Sequence, residues 1–436
     1  MVKIAILGHG VVGSGVAQGL FSKTELFRRK FENKDLIKRK IGEEIILKKI
    51  LDIKEFKNLS YSNLFVKDFD EILNDDEISI VVETMGGLNP AYEFVKKLLE
   101  KKKSVVTSNK ELVCEKGEEL LKIAKDNGVS FLFEASVGGG MPIVKPLQFY
   151  FVSSGIDSIE GILNGTTNFI LTKMAQEKIS FEEALKLAQE LGYAEKDPSD
   201  DINGIDSARK ICILAELAYL KYVPFKKVSV KGIKDINLID ILYGRSVDMV
   251  LKLVATVEFS YNFIENIEVR PCFLERTHRL YSIDGVLNGV VVNGNVMFTG
   301  EGAGRFPTAG AVWSDIAFIV KNNFRNISPV LERDDHFTSL SYEEERRKFY
   351  IRLKAKDLDK AKKVIKDYFA LNFKIMDKDV KCVRDIEYLD REGKKEDELA
   401  LIVCGILKKE VLDLEKILNE SGIEMKAYFE ILSKDY

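Results

Sequence analysis

Residues Val2–Leu20 read VKIAILGHGVVGSGVAQGL: an apolar strand through Leu7, three glycines spaced as Gly8-x-Gly10-x-x-Gly13, and a helical pattern behind them. In that order each glycine has a task. The first allows a tight turn, the second lets the backbone approach a pyrophosphate, and the third permits close helix–strand packing, while the helix N-terminus favours the anion. Glycines so spaced mean little alone. Between a strand and a helix they point to a dinucleotide held at Gly8, Gly10, Val11, Val12 and Gly13. Further strand and helix patterns alternate along EIILKKILDI (44–53), ISIVVETMGG (78–87) with NPAYEFVKKLLEKK behind it, SVVTSNKELV (104–113) and VSFLFEASVGGGMP (129–142). Such alternation predicts an α/β fold with a doubly wound parallel sheet over residues 1–150.

The cofactor this implies is NAD(P). Asp52, at the end of the second strand, is placed to accept from a ribose 2′-hydroxyl, while Lys54 and Lys57 just beyond it could neutralise a 2′-phosphate, so both cofactors stay open. The insert RRKFENKDLIKRKIGEE (28–44) sets this strand farther from the glycines than the usual spacing of about 20 residues. Thr84, in VVETMGG, is a further cofactor-facing candidate.

The 436 residues, 46% of them hydrophobic, suffice for two or three domains. Sixty-six basic residues balance 69 acidic ones, and no basic run interleaves with aromatics, which argues against a nucleic-acid partner. Apolar stretches fall short of the roughly 20 residues of a membrane helix, and the N-terminus begins on a strand pattern instead of a signal sequence. The expected location is cytoplasmic, with no membrane partner. Cys114, Cys212, Cys272, Cys382 and Cys404 are scattered without a C-x-x-C pair, as expected of small core residues in a reducing compartment.

A bound nicotinamide implies hydride transfer, so some protein group must exchange a proton with the substrate oxygen. The histidines fit poorly: His9 lies inside the glycine turn, and His278 and His336 lie in unpatterned stretches. Cys114 as a covalent nucleophile lacks a recognisable context. Lysine can serve where burial lowers its pKa. DINGIDSARKICILAELAYL (201–220) reads as a helix whose second half is apolar nearly all round, and therefore buried. Asp206 and Lys210 stand four residues apart on the stripe continuing through Ile213 and Leu217, so they reach one small volume. An arbitrary Asp–Lys pair is an exposed helix ion pair; behind a nucleotide domain and on a buried helix, this one is the acid–base candidate. Lys110, at the end of the strand pattern 104–113, is the second lysine to weigh.

Several blocks together resemble a known family. GHGVVGSG, VVETMGG, VTSNKELV, FEASVGGGMPIVKPL, GILNGTTNFILTKM, AQELGYAEKDPSDDINGIDSARKICILA and GEGAGRFPTAGAVWSDI are similar, in order, to the motif series of homoserine dehydrogenase. The resemblance implies NAD(P)-dependent interconversion of L-homoserine and L-aspartate 4-semialdehyde, a step toward threonine, methionine and isoleucine. It implies Lys210 as the acid–base lysine, Asp206 as its partner and substrate ligand, and Lys110 as a second lysine at the reacting centre and a cofactor contact. Gly192 and Glu195, in GYAE, would line the substrate site with Asp201, Glu195 taking the amino group, and Gly302, in GEGAG, would lie at the nicotinamide. A monovalent cation, usually sodium in the family, would rest on Glu134 and the backbone carbonyls of Val137, Gly139 and Met141, an oxygen set that suits a hard ion.

The remaining chain reads as two further units. Residues 151–304 carry strand-like runs at 157–163, 245–259 and 279–299 among helices at 166–177, 181–191 and 203–221, which suggests an α+β substrate domain, commonly also the dimer interface in this family. Residues 305–324 should pack back on the Rossmann-like domain, with AVWSDIAFIVKNNF (311–324) as a helix. After a polar linker (325–347), residues 348–436 follow a β-α-β-β-α-β order through KFYIRLKA, KIMDKDVKCV, ELALIVCGIL and IEMKAYFEIL. That ferredoxin-like order resembles an ACT domain, which implies threonine as effector, although KDLDKA stands where such domains often have Asp-x-Pro-Gly; assembly as a homodimer or homotetramer is expected. A dehydrogenase for another hydroxy acid would leave the series from GILNGTTNFI to GIDSARK unexplained. In a non-catalytic nucleotide sensor, Asp206–Lys210 would be a plain salt bridge.

Overall fold

The computed structural model describes residues 1–21, 34–260, 263–332, 346–371, 386–390 and 395–433. Its first unit alternates β1 (Val2–Leu7), α1 (Val11–Phe21), α2 (Lys34–Ile41), β2 (Ile45–Leu51), β3 (Phe65–Val66), α3 (Asp70–Leu73), β4 (Ile78–Glu83), α4 (Ala91–Glu100), β5 (Ser104–Thr107), α5 (Lys110–Asp126) and β6 (Phe131–Leu132). The strands pair in parallel in the order β3-β2-β1-β4-β5-β6. Ile4, Ile6, Val81 and Val82 are wholly buried, as strands covered by helices on both faces must be. The order in which successive strands are added reverses between β1 and β4, which opens a crevice at their C-terminal ends. Lys110 is the first residue of α5 and not a strand end, because the strand stops at Thr107 and the Asn109 side chain caps the helix, accepting from Leu112 N–H.

The second unit runs from α6 (Val144–Phe149) and β7 (Ser158–Ile162) through α7 (Gly165–Glu177), α8 (Phe181–Glu190), α9 (Ser199–Ile202), α10 (Ile205–Tyr219), β8 (Ser229–Val230), α11 (Leu238–Ser246), β9 (Met249–Ser260), β10 (Phe263–Glu275), β11 (Leu287–Val292) and β12 (Val296–Glu301) to α12 (Arg305–Lys321). α12 packs on α1 of the first unit, beginning six residues before the expected 311. The expected helix from 203 to 221 is split from α9 by Gly204, which takes φ +82°. Of the elements not anticipated, the short α6, α9 and β8 are joined by two longer ones. α11 occupies the start of the expected strand 245–259, and β10 precedes the expected run at 279, whose first residues form turns. β10 hides because Glu265, Glu268, Arg270 and Pro271 interrupt its apolar pattern. The fold accommodates them: Arg270 is buried against Glu268 and Glu430, and Pro271 falls between the short stretches that pair with β8 and β16.

The C-terminal stretch forms β13 (Arg347–Lys354), α13 (Leu358–Leu371), β14 (Ile386–Leu389), β15 (Glu398–Ile406), α14 (Lys408–Glu420) and β16 (Glu424–Leu432). Its strands are ordered β16-β13-β15-β14 with antiparallel neighbours, and it has a core of its own around Phe349, Ile351, Leu401 and Leu414. The expected strand at 374–383, with Cys382, and most of the connector at 325–347, with His336, lie outside the described residues. β16 also pairs in parallel with β10, so the sheets of the second and C-terminal stretches are one ten-stranded sheet, β12-β11-β7-β9-β10-β16-β13-β15-β14 with β8 beside β10. Cys114, Cys212, Cys272 and Cys404 form no disulfide among the described residues. Among the described residues no helix is long and apolar enough to cross a membrane.

A buried ion pair pins this junction. Arg352 on β13 grips Asp240 on α11 with two bonds, Nε–Oδ1 2.6 Å and Nη2–Oδ2 3.0 Å, and Tyr350 donates to Oδ1 at 3.0 Å. Removing one partner strands a buried charge at a cost of about 3–5 kcal/mol. Arg352→Ala should lower the apparent melting temperature clearly in a thermal scan; an unchanged midpoint would mean the pair stabilises nothing.

Candidate active site

The glycine turn leaves β1 as a cradle with no side chains in it. A Cβ at Gly10 would meet nothing within 4 Å, whereas one at Gly13 would come within 2.0 Å of Gly8 O and 2.7 Å of Thr84 Oγ1. The open side fits a pyrophosphate over the first N–H groups of α1, at Val11 and Val12. Thr84 closes the other side: its hydroxyl donates to the Leu7 and Gly8 carbonyls at 3.1 and 2.8 Å. Asp52 stands at the end of β2, where Oδ2 accepts from His9 N–H at 2.7 Å and Oδ1 from Lys54 N–H at 2.8 Å.

At the far end of the crevice Glu83, fully buried at the end of β4, accepts from Thr107 Oγ1 (2.5 Å) and Met85 N–H (2.7 Å). Burial pushes its carboxyl up, against those hydrogen bonds. Asn109 donates to Gly87 O at 2.6 Å, so the loops after β4 and β5 are tied together directly under Lys110.

Lys110, Asp206 and Lys210 meet there. Asp206 is 2% exposed and Lys210 8%. Lys210 Nζ donates to Asp206 Oδ2 at 2.7 Å and to Leu163 O at 2.8 Å, and Lys110 forms an ion pair with Asp206 Oδ1. Burial disfavours charge on Asp206, but the two ammonium groups outweigh it and hold the carboxyl far below its ordinary range. Lys210 is lowered, first by burial and then by the like charge of Lys110, with Asp206 opposing. Burial opposes the charge on Lys110, but Asp206 and Asp201 together outweigh it and raise the lysine. Asp201 is raised by burial and by the neighbouring Asp206 charge.

Two residues not singled out from the sequence hold this cluster. Asn164, which caps α7, donates through Nδ2 to both Asp201 Oδ1 (2.6 Å) and Asp206 Oδ2 (2.8 Å). Asn288 on β11 donates to Leu163 O at 2.8 Å, the carbonyl that also takes Lys210. Asn164 had a signal, an Asn followed three residues later by Thr at the start of a helical pattern. Asn288 had none, since its part depends on pairing between β7 and β11.

The other expected residues are placed differently. Gly192 and Glu195 lie on the exposed turn after α8, which Thr166 Oγ1 ties to α7 through Tyr193 O at 2.7 Å; the Glu195 carboxylate makes no contact with the Lys–Asp cluster among the described residues. Gly302 packs on the Asn288 amide. The Glu134 side chain accepts from the N–H groups of Ile143, Val144 and Lys145 at 2.9–3.0 Å, capping α6, and lies 3.4 Å from Lys145 Nζ. The carbonyls of Val137, Gly139 and Met141 accept no hydrogen bond from the described residues, so oxygen donors for a hard cation remain on that loop.

Comparison with known proteins gives a consistent picture. Residues 8–134 match the family model "Homoserine dehydrogenase, NAD binding domain", and residues 142–317 match the family model "Homoserine dehydrogenase". A homoserine dehydrogenase of Lactococcus lactis is 40% identical over 332 residues, 73% of this chain and 74% of that protein. The crystal structure of a homoserine dehydrogenase from Thiobacillus denitrificans superposes with a TM-score of 0.81 at 28% identity, over 99% of this chain and 98% of that one. A hyperthermophilic archaeal homoserine dehydrogenase in complex with NADPH gives a TM-score of 0.60 at 28% identity, over 75% of this chain and 99% of that one.

The packing of Gly302 is testable. A Cβ there would lie 2.1–2.4 Å from the Asn288 amide, whereas one at Gly310, on α12, meets nothing within 4 Å. Gly302→Ala should cost about 1–3 kcal/mol and Gly310→Ala nothing, as read by thermal unfolding; equal midpoints would refute the close approach.

Proposed function

Because the chain belongs to the homoserine dehydrogenase family, an NAD(P)-dependent oxidoreductase that interconverts L-homoserine and L-aspartate 4-semialdehyde, we propose that Lys210 is the acid–base group of that reaction. The observation that carries this is the hydrogen bonding of its ammonium. Two of its three N–H bonds are taken by Leu163 O and Asp206 Oδ2, which leaves one for a substrate oxygen. The dinucleotide, when bound, supplies or removes the hydride. In the reducing direction negative charge grows on the aldehyde oxygen, and the pre-placed Lys210 ammonium stabilises it and gives up a proton. In the oxidising direction the neutral amine takes the hydroxyl proton, which its lowered pKa favours.

Asp206 orients both lysines, and Asn164 holds it in place. Lys110, on the nucleotide side, completes the positive site near the reacting carbon. Asp201 and the turn at Gly192 and Glu195 would receive the amino-acid end of the substrate, Glu195 offering a carboxylate to the ammonium. A monovalent cation, if bound, would rest on the carbonyls of Val137, Gly139 and Met141 and fix the loop between the units. The β-α-β-β-α-β order of the C-terminal stretch supports an ACT-like module, for which the family resemblance implies threonine as ligand. In place of the Asp-x-Pro-Gly turn, Asp357 Oδ1 accepts from Lys360 N–H at 2.9 Å at the start of α13. Assembly as a homodimer or homotetramer belongs to the same reading.

Lys210→Ala should lower kcat by about 10²-fold or more while NAD(P)H still binds, as checked by steady-state rates and nucleotide fluorescence; near wild-type turnover removes Lys210 from the mechanism. A pH profile tests the electrostatics. Homoserine oxidation needs neutral Lys210, so the rate should rise with pH through an inflection below the ordinary lysine value of 10.5. Asp206 favours the charged form, so in Asp206→Asn the inflection of the residual rate should move to lower pH. An alkaline displacement would contradict the geometry.

A further inference from the structure

Arg305 opens α12 where that helix crosses α1. Its carbonyl oxygen and Cγ lie 2.6 and 2.9 Å from the position of a Cβ on Gly15, so its stem is held against the helix that rises from the glycine turn. The side chain is exposed and forms no hydrogen bond or ion pair with any described residue.

Its charge lies near two rings at the edge of the crevice. Burial holds the His9 imidazole below its ordinary pKa, with Asp52 opposing and Arg305 adding to the effect; burial raises the Tyr61 hydroxyl, with Arg305 opposing. These rings belong to an aromatic cluster with Phe56 and Phe65, whose centroids lie 4.6 and 5.0 Å from that of His9, and His9 Nε2 meets Tyr61 OH at 3.1 Å. The cluster stands beside Asp52 at the end of β2, where a doubly wound sheet places the adenosine ribose.

The groups expected from the sequence to read that ribose are partly committed. Both Asp52 oxygens accept main-chain N–H groups, and Lys57 is paired with Glu55 at 2.9 Å. A guanidinium arriving from α12 brings an always-charged, planar fork that matches a phosphate bidentately.

Resting on the NAD(P) dehydrogenase reading above, we propose that Arg305 binds the 2′-phosphate of NADP and tilts the site toward the phosphorylated dinucleotide. The pyrophosphate, common to NAD and NADP, is the other phosphate within the same crevice, and the two differ in their consequences. An arginine on the 2′-phosphate discriminates between the cofactors, and one on the pyrophosphate does not. Asp52, its oxygens drawn toward His9 and Lys54 N–H, stays with the glycine turn.

Equilibrium titration of NADPH and NADH, followed by nucleotide fluorescence, separates these cases without relying on turnover. Arg305→Ala should raise the Kd for NADPH by about 10- to 100-fold and collapse the ratio between the two cofactors, with Arg305→Lys in between. Equal weakening of both cofactors would place the side chain on the pyrophosphate and overturn the proposal, as would an unchanged ratio. Wild-type protein that bound neither dinucleotide would instead sink the dehydrogenase reading itself, and this assignment with it. A thermal scan of each variant separates lost binding from lost fold.

Discussion

One buried carboxylate shared by two ammonium groups is the interaction on which the site depends. Asp206 and Lys210 ride on α10, and Lys110 rides on the first turn of α5 in the nucleotide unit. The cluster therefore exists only when the two units are docked. Docking is the work of the apolar remainder of α10, where Ile211, Ile213, Leu214 and Leu217 are buried between α5, α6 and the strands β9 and β10. Charge and packing are thus coupled: a lone charge in that joint would cost several kcal/mol, whereas two lysines against one carboxylate leave an excess positive charge where an alkoxide forms.

The second constraint is the chain segment Leu163–Asn164 at the end of β7. The Leu163 carbonyl accepts from Lys210 and Asn288, and the Asn164 side-chain amide donates to Asp201 and Asp206. Four side chains from α9, α10 and β11 converge on one strand-to-helix turn. Because Asn164 also caps α7 through Thr167 N–H at 2.8 Å, its amide cannot swing to follow a shifted carboxylate without opening the helix end.

What was legible in the sequence had a local signature. The glycine turn, the strand–helix alternation that builds the parallel sheet and the i, i+4 spacing of Asp206 and Lys210 are all short-range patterns, and the structure contains the turn, the sheet and the pair. What escaped depends on contacts distant in sequence. β10 carries charges that look exposed until Glu430, from the last strand, is placed against Arg270. Asn288 looks like any strand polar residue until β11 is laid beside β7. That Glu134 also caps α6 escaped as well, because the convergent N–H groups of Ile143, Val144 and Lys145 come from the start of a helix nine to eleven residues further along the chain.

The C-terminal stretch shows how a chain segment with its own core can still be inseparable from its neighbour. Had it been joined only by a linker, its edge strand β16 would have exposed unpaired main-chain groups, a liability that sheets avoid. Pairing Glu430–Leu432 of β16 with β10 covers part of that edge, and the Arg352–Asp240 pair ties β13 to α11. Apolar side chains of similar volume would hold the surfaces together at least as well, but they would tolerate sliding. A bidentate guanidinium–carboxylate contact tolerates little. Since α11 packs in turn on α7, whose first turn is fixed by Asn164, a rigid path of contacts runs from the last strand of the chain to the carboxylate at the reacting centre.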